Sequence, residues 1–256
     1  MSGKQLIFTA LPDIPFIRPG DDLVAITLAG LSAAGVTLRD GDVIVVGQKI
    51  ISKAEGRFVD LKQISPSSEA DALADETGKD PRMVELILRE SVEILRKREG
   101  LIIVEHKLGF VCANAGIDLS NVMNEEGGEW GLLLPEDPER SARELRAGLQ
   151  TASEAEIGVL INDSHGRSWR MGTVGVCIGV AWFPVVVDLR GQKDLFGYTL
   201  RSTVIGLADE IAAGASALMG QAQEKLPVIH VRGLPYPLRE GSLSEILREK
   251  ELDLFR

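Results

Sequence analysis

Three times this chain builds an apolar, strand-like run and leaves it on a burst of polar residues. The stretches are "VIVVGQKIISKAEG", "LIIVEHKLGFVCANAGIDLSN" and "GVLINDSHGRSWR". A β-branched series such as Val43, Ile44, Val45 and Val46 suits a buried strand. Ligand sites of sheet-containing folds gather beyond strand ends. The chain is therefore constrained twice: strands belong to its core, and its chemistry belongs to the connections that leave them. Only 5% of the residues are aromatic, so aliphatic side chains must fill that core.

Between these runs the spacing predicts helices. "LVAITLAGLSAAG" follows the caps Asp21 or Asp22 and closes at Gly35. "SPSSEADALADETG" starts with Ser65 as cap and Pro66 in the first turn, and ends at Gly78. "DPRMVELILRESVEILRK" starts the same way, at Asp80 and Pro81. "PEDPERSARELRAGLQTAS", "TVIGLADEIAAGASALMG" and a charged terminal "GSLSEILREKELDLFR" complete the helical set. Further strands are expected in "KQLIFTALP", "GTVGVCIGVAWFPVVVDLRG" and "LPVIHVRG". The mixture lacks strict βαβ alternation, which predicts an α+β or irregular α/β fold. With 256 residues, we expect two domains: residues 1–85 plus 195–256, and residues 86–194.

The formal net charge of −10 argues against a general nucleic-acid binder, which needs a basic footprint. A polyphosphate ligand would need concentrated cations or metal ions. No signal peptide or membrane-spanning run is found, so a soluble cytoplasmic protein is expected. Cys112 and Cys177 sit in apolar contexts without zinc spacing and read as buried small hydrophobes in a reducing compartment.

No Walker loop, Rossmann glycine fingerprint or GxSxG elbow is present. Five polar loops remain. "QKIISKAEG" places Lys49 and Lys53 four apart, as phosphate contacts or as a solvated strand end. "NAGIDLSN" offers Asp118 as a hard-ion ligand, with Asn114 and Asn121 beside it, or else an Asx-rich turn. "INDSHGRSWR" sets Asp163 and Ser164 beside Arg167 and Arg170, a combination suited to metal-bound phosphate; His165 reads as a base or a surface group. "DLRGQKDLFG" and "LMGQAQEK" are the weaker two, the second offering Gly220 and Gln221. Together the five favour a metal-polyphosphate enzyme over a binding module.

"DGDVIVVGQKIISKAEGR", "GKDPRMVELILRES", "GFVCANAGIDLSNV", "LLLPEDPERSARELR", "NDSHGRSWRMGTVGVCIG", "KDLFGYTLRSTVIGLADEIAAGASALMGQ" and "PVIHVRG" resemble the coenzyme F-420-0:L-glutamate ligase family. The likeness runs from about residue 14 to about residue 241. It implies an unusual α+β fold with two intertwined domains, neither Rossmann nor P-loop, in a homodimer. It also implies a GTP-driven amide ligase acting through an acyl phosphate, with GTP, L-glutamate and F-420-0 as partners, and no nucleic acid or membrane. Two divalent ions, magnesium or manganese, are implied, with potassium as a further candidate. By matching blocks, Asp118 and Asp163 would be the catalytic pair and hold one ion, and Ser164 and Gln221 the second. Some relatives carry Glu at the position of Gln221, and an amide is the weaker hard-ion ligand. Ile14, Pro15, Phe16, Ile17, Gln48, Lys49, Lys53, Asn121, Met219, Gly220 and Ala222 would touch GTP, within a lining segment 219–226. A ligase for another acid, such as a folate-like acceptor, and a non-catalytic nucleotide- or deazaflavin-binding module are the alternatives.

Overall fold

The computed structural model describes residues 4–122 and 128–255. In chain order these form β1 (Ile7–Ala10), α1 (Leu23–Ala33), β2 (Val43–Gly47), α2 (Gln48–Ala54), β3 (Phe58–Asp60), α3 (Ser68–Thr77) and α4 (Pro81–Arg89). Then come β4 (Ser91–Arg98), β5 (Leu101–His106), β6 (Val111–Ala113), β7 (Trp130–Leu132), α5 (Pro138–Ser153), β8 (Gly158–Arg167) and β9 (Arg170–Ala181). The chain finishes with β10 (Val187–Asp188), β11 (Val204–Ile205), α6 (Leu207–Met219) and β12 (Val228–Arg232). The fold is α+β.

The main sheet has five strands in the order β1-β12-β2-β8-β9. β2 and β8 run parallel, and the other neighbours are antiparallel. The four β-branched residues of β2 are buried, as are Gly158, Val159, Leu160, Ile161 and Asn162 of β8. Their aliphatic side chains join one buried apolar cluster. Helices close on β9 where it is made of glycine. A Cβ at Gly175 would come within 2.5 Å of the Ala212 carbonyl in α6, and one at Gly179 within 2.6 Å of Pro138 in α5. The sheet draws strands from both of the segments expected as domains.

Several expectations need correction. "QKIISKA" is no loop: it is α2, whose Gln48, Ile50, Ile51 and Ser52 are buried, so packing overrides the weak helix propensity of isoleucine. Ser67, not Ser65, caps α3, accepting from the Ala70 N–H at 3.2 Å. α4 ends at Arg89, and "SVEILRKR" is a strand that pairs with β5; its apolar residues satisfy either period over so short a run. The single strand expected around "LIIVEHKLGFVCA" is a hairpin, β5 and β6, turning through Gly109 at φ +92. "NDSHGR" is not a loop either, because β8 continues to Arg167 and turns tightly into β9. The terminal segment forms two single 3-10 turns, Leu243–Glu245 and Lys250–Leu252, with Leu243 its only buried apolar anchor among the described residues. Arg256, the last residue of that expected helix, lies outside the described residues. Among the described residues no helix is long and apolar enough to cross a membrane. Both cysteines are buried and free.

Candidate active site

The parallel pairing of β2 with β8 decides where polar side chains meet. Gly47 lies opposite Asn162, so Gln48 and Lys49 leave β2 beside Asp163 and Ser164. The loop after β6 supplies the facing wall. Asp118 is held there by two backbone hydrogen bonds with Leu132, of 3.0 and 2.9 Å. Asp118 and Asp163 line one cavity of about 130 Å³, together with Cys112, Ser164 and His165.

The carboxylate of Asp118 has its oxygens divided. Oδ2 accepts from Gln48 Nε2 at 2.6 Å, and Oδ1 stands 3.1 Å from Lys49 Nζ. Gln48 is only 2% exposed. Its Oε1 accepts the Ser52 hydroxyl at 3.0 Å, which leaves the amide nitrogen facing Asp118. Burial pushes the Asp118 carboxyl up, Lys49 opposes this, and Asp163 adds to it. Lys53 donates to the Asn121 carbonyl at 2.7 Å. Burial pushes its ammonium down and Lys49 adds, while Asp118 pulls the other way. Burial, with Asp163, pushes the Cys112 thiol up to about 12, the direction that disfavours a thiolate at this cavity wall.

Asp163 Oδ2 lies 2.9 Å from His165 Nε2. His165 also packs on Phe110, ring centres 5.3 Å apart, so it is part of the wall and not a surface group. Gln221 Nε2 donates to Ser164 Oγ at 2.9 Å. A half-turn of that amide would present its oxygen instead. Asn121 Nδ2 donates to the Ala222 carbonyl at 3.3 Å, which ties the loop after α6 to the same rim. Lys225 in that loop lies 4.8 Å over the ring of Phe16.

Most of the expected nucleotide and metal residues therefore form one neighbourhood. Met219 reaches it through Asn162 Nδ2, 3.4 Å from its sulfur, and Gly220 ends α6 at φ +69. Phe16 is 76% exposed, whereas Ile17 belongs to the core and can offer only backbone. Pro15 is exposed and Ile14 half-buried. Asn114 does not join the site, because its Oδ1 accepts the Ile102 N–H at 3.2 Å. Arg167 and Arg170 flank the β8–β9 turn, outside the cavity wall, and Arg167 donates to the Gly172 carbonyl at 2.9 Å. In "DLRGQKDLFG", Asp188 and Arg190 pair with each other at 2.6 Å. Sequence reasoning expected Gln48 at GTP, but it missed that Gln48, held by Ser52, positions Asp118. The spacing of four between Gln48 and Ser52 is a helical signal, hidden once "QKIISKAEG" is read as a loop. A larger cavity, about 370 Å³, lies between Arg57 and Arg140, but its charges are engaged internally: Glu55 accepts the Ser141 hydroxyl, and Arg140 pairs with Glu136.

Among the described residues no three His, Cys, Asp or Glu side chains converge as a metal cage. Two carboxylates and a hydroxyl around one cavity still fit magnesium. That ion usually binds through one or two carboxylates, with water and substrate phosphates completing its shell.

A family model described as F420-0:Gamma-glutamyl ligase matches residues 13–233. The chain is 45% identical over 245 residues to a protein of Methanothermobacter thermautotrophicus named Coenzyme F420:L-glutamate ligase, covering 95% of this chain and 96% of that one. Proteins of the same name from Methanopyrus kandleri and Archaeoglobus fulgidus are 45% and 44% identical, covering 94% and 95% of this chain and 93% of each relative. The chain belongs to the F420-0:gamma-glutamyl ligase family.

Proposed function

We propose that this protein joins L-glutamate to the carboxylate of the deazaflavin coenzyme F-420-0, using GTP. The observation that carries this reading is the cavity shared by Asp118 and Asp163, with Lys49 and Lys53 at its rim. In the reaction, the acceptor carboxylate takes the γ-phosphoryl group and GDP leaves. The glutamate amine then attacks the acyl carbon, loses its proton, and phosphate departs. Later rounds would add γ-linked glutamates. Phosphoryl transfer asks for positioning and charge neutralisation more than for a reactive side chain.

Asp118 and Asp163 would hold one divalent ion, magnesium or manganese, with Ser164 and Gln221 beside a second. Such ions, when bound, neutralise the phosphate oxygens. Gln48 and Ser52 fix the direction of Asp118. Lys49 and Lys53 face the phosphates. Drug-sized ligands need roughly 300–1,000 Å³, so the small cavity suits ions and a phosphoryl group. The nucleoside would lie along the rim of Phe16, Asn121, Ala222 and Lys225. A homodimer fits the same reading: Leu195 and Phe196 are 96% and 95% exposed, and apolar surface of this kind calls for a cover. Light scattering of the wild type and of a Leu195→Glu, Phe196→Glu double variant tests that point.

The central experiment combines protein, GTP, magnesium, glutamate and F-420-0, followed by mass analysis. A glutamate increment on F-420-0 is expected. Turnover of GTP only with another acid would assign a different acceptor, and no turnover would leave a binding module.

A further inference from the structure

Lys49 does something in this structure that a phosphate-binding lysine does not need to do. Its ammonium stands 3.1 Å from Asp118 Oδ1 and reaches Ser120 as well, at 3.2 Å to the hydroxyl and 3.4 Å to the carbonyl. The other Asp118 oxygen is committed to Gln48, whose amide is locked by Ser52. Only Oδ1 is exchangeable, and a lysine holds it. Lys53, one helical turn further on, behaves differently, because it engages the Asn121 carbonyl and, among the described residues, no carboxylate oxygen.

We infer that Lys49 is a resident cation on Asp118 Oδ1, which a divalent ion must displace, and that the displaced ammonium becomes available to the nucleotide phosphates. The inference rests on the proposed metal role of Asp118. It makes the two ligands cooperative through one side chain. A metal ion arriving alone competes with Lys49. Phosphate arriving with the metal gives Lys49 a new anionic partner and lifts that competition. Linkage makes the effect reciprocal, so the metal must also strengthen nucleotide binding. Ser52 and Gln48 are positioning residues here, since they decide which oxygen is in play.

The test is manganese binding, read by loss of the free-ion EPR signal, without nucleotide and then with GDP. Without nucleotide, Lys49→Met should bind manganese more tightly than wild type, by about 10-fold, a size common for coupled sites. With GDP the order should reverse, because the variant lacks its phosphate contact. Lys53→Met removes the same charge from the same helix but no contact with Asp118, so its manganese affinity without nucleotide should change little. Lys49→Gln repeats the measurement with a polar side chain, and melting curves in chelator check that each variant is folded. Equal tightening in the Lys49 and Lys53 variants would reduce the effect to general electrostatics and overturn the inference. Unchanged or weaker binding in Lys49→Met would also overturn it. If Asp118→Asn binds manganese as wild type does, the metal reading itself falls, and the Lys49 inference with it.

Discussion

Two aspartates flank strand β2, and the protein treats them in opposite ways. Asp42 precedes the strand. It accepts two hydrogen bonds from Arg232, at 2.8 and 2.7 Å, and one from the Arg39 N–H at 2.9 Å, and His230 Nε2 stands 2.9 Å away. Burial alone would raise its carboxyl, but Arg232, then His230, then the Arg39 amide outweigh it and hold it at about 2. Asp118 meets the far end of the strand through Gln48 and has the opposite shift. Burial and Asp163 together outweigh Lys49. One carboxylate is neutralised by its own protein. The other has one lysine on one oxygen, which does not offset its burial and the neighbouring Asp163, as suits a group that exchanges that lysine for a stronger cation.

The largest effects should fall on turnover. Asp118→Asn and Asp163→Asn should each lower glutamate addition by about 10²–10³-fold or more, the scale of losing one preorganised electrostatic contact. Asp42→Asn should leave the turnover of the folded fraction near wild type. A comparable loss at Asp42 would break the contrast.

Stability should show the reverse order. Removing one partner of a buried pair costs about 3–5 kcal/mol, and denaturant unfolding of Asp42→Asn should find a loss of that order. The folded carboxyl of Asp42 is depressed below its ordinary value of 3.8. Its contribution is therefore fully present above that pH and is lost as pH falls toward about 2. Acid unfolding of Asp42→Asn should lack this dependence. An unaltered acid profile would contradict the assignment.

A middle-sized effect tests the rim. Lys53→Ala should raise the Michaelis constant for GTP about 10-fold, close to 1.4 kcal/mol. Lys62→Ala, on an exposed residue, should not. Equal responses would make Lys53 an ordinary surface lysine. The smallest effect is the most diagnostic. Because the folded carboxyl of Asp118 is raised, its charge opposes folding at neutral pH and that cost eases as pH falls. Asp118→Asn should melt no lower than wild type in chelator, and up to a few degrees higher at ~2–4 °C per kcal/mol. It should also lose most of the shift that magnesium-GTP gives. A lower melting point with the full ligand shift retained would move Asp118 into the class of Asp42.

The Asp42 cluster shows what the sequence could not convey. "DGDVIVV" reads as a turn and a strand, but Arg232 reaches it from the last strand, and nothing local announces that partner. The site is more legible. Polar groups after apolar runs are conspicuous at Lys49, Asp118 and Asp163, because a strand that ends on charged residues has to leave the core there. Their secondary structure is less so. Helix α2 offers locally only the four-residue spacing of Gln48 and Ser52, and the extension of β8 to Arg167 is not marked locally; burial of Ile50 and Ile51 and pairing with β9 decide them. The parallel pairing of β2 with β8, which brings Lys49 toward Asp163, depends on contacts remote in the chain.

That remoteness governs when the site can exist. Val43 pairs with Gly158 on one side and Val231 on the other, so both neighbours of β2 arrive from more than a hundred residues downstream. Contacts of such sequence separation close slowly, because the loop entropy is lost before the strands reward it. Helices such as α3 and α4 can form early on local caps, while β2 has no sheet partner until β8 is made and no second one until β12 follows. During synthesis, residues 48–53, 118–121 and 163–164 would all have left the ribosome before the strand order that assembles them is complete. A nascent chain ending before Val228 should therefore show helical signal but no magnesium-GTP protection against proteolysis, and competence should appear in one late step.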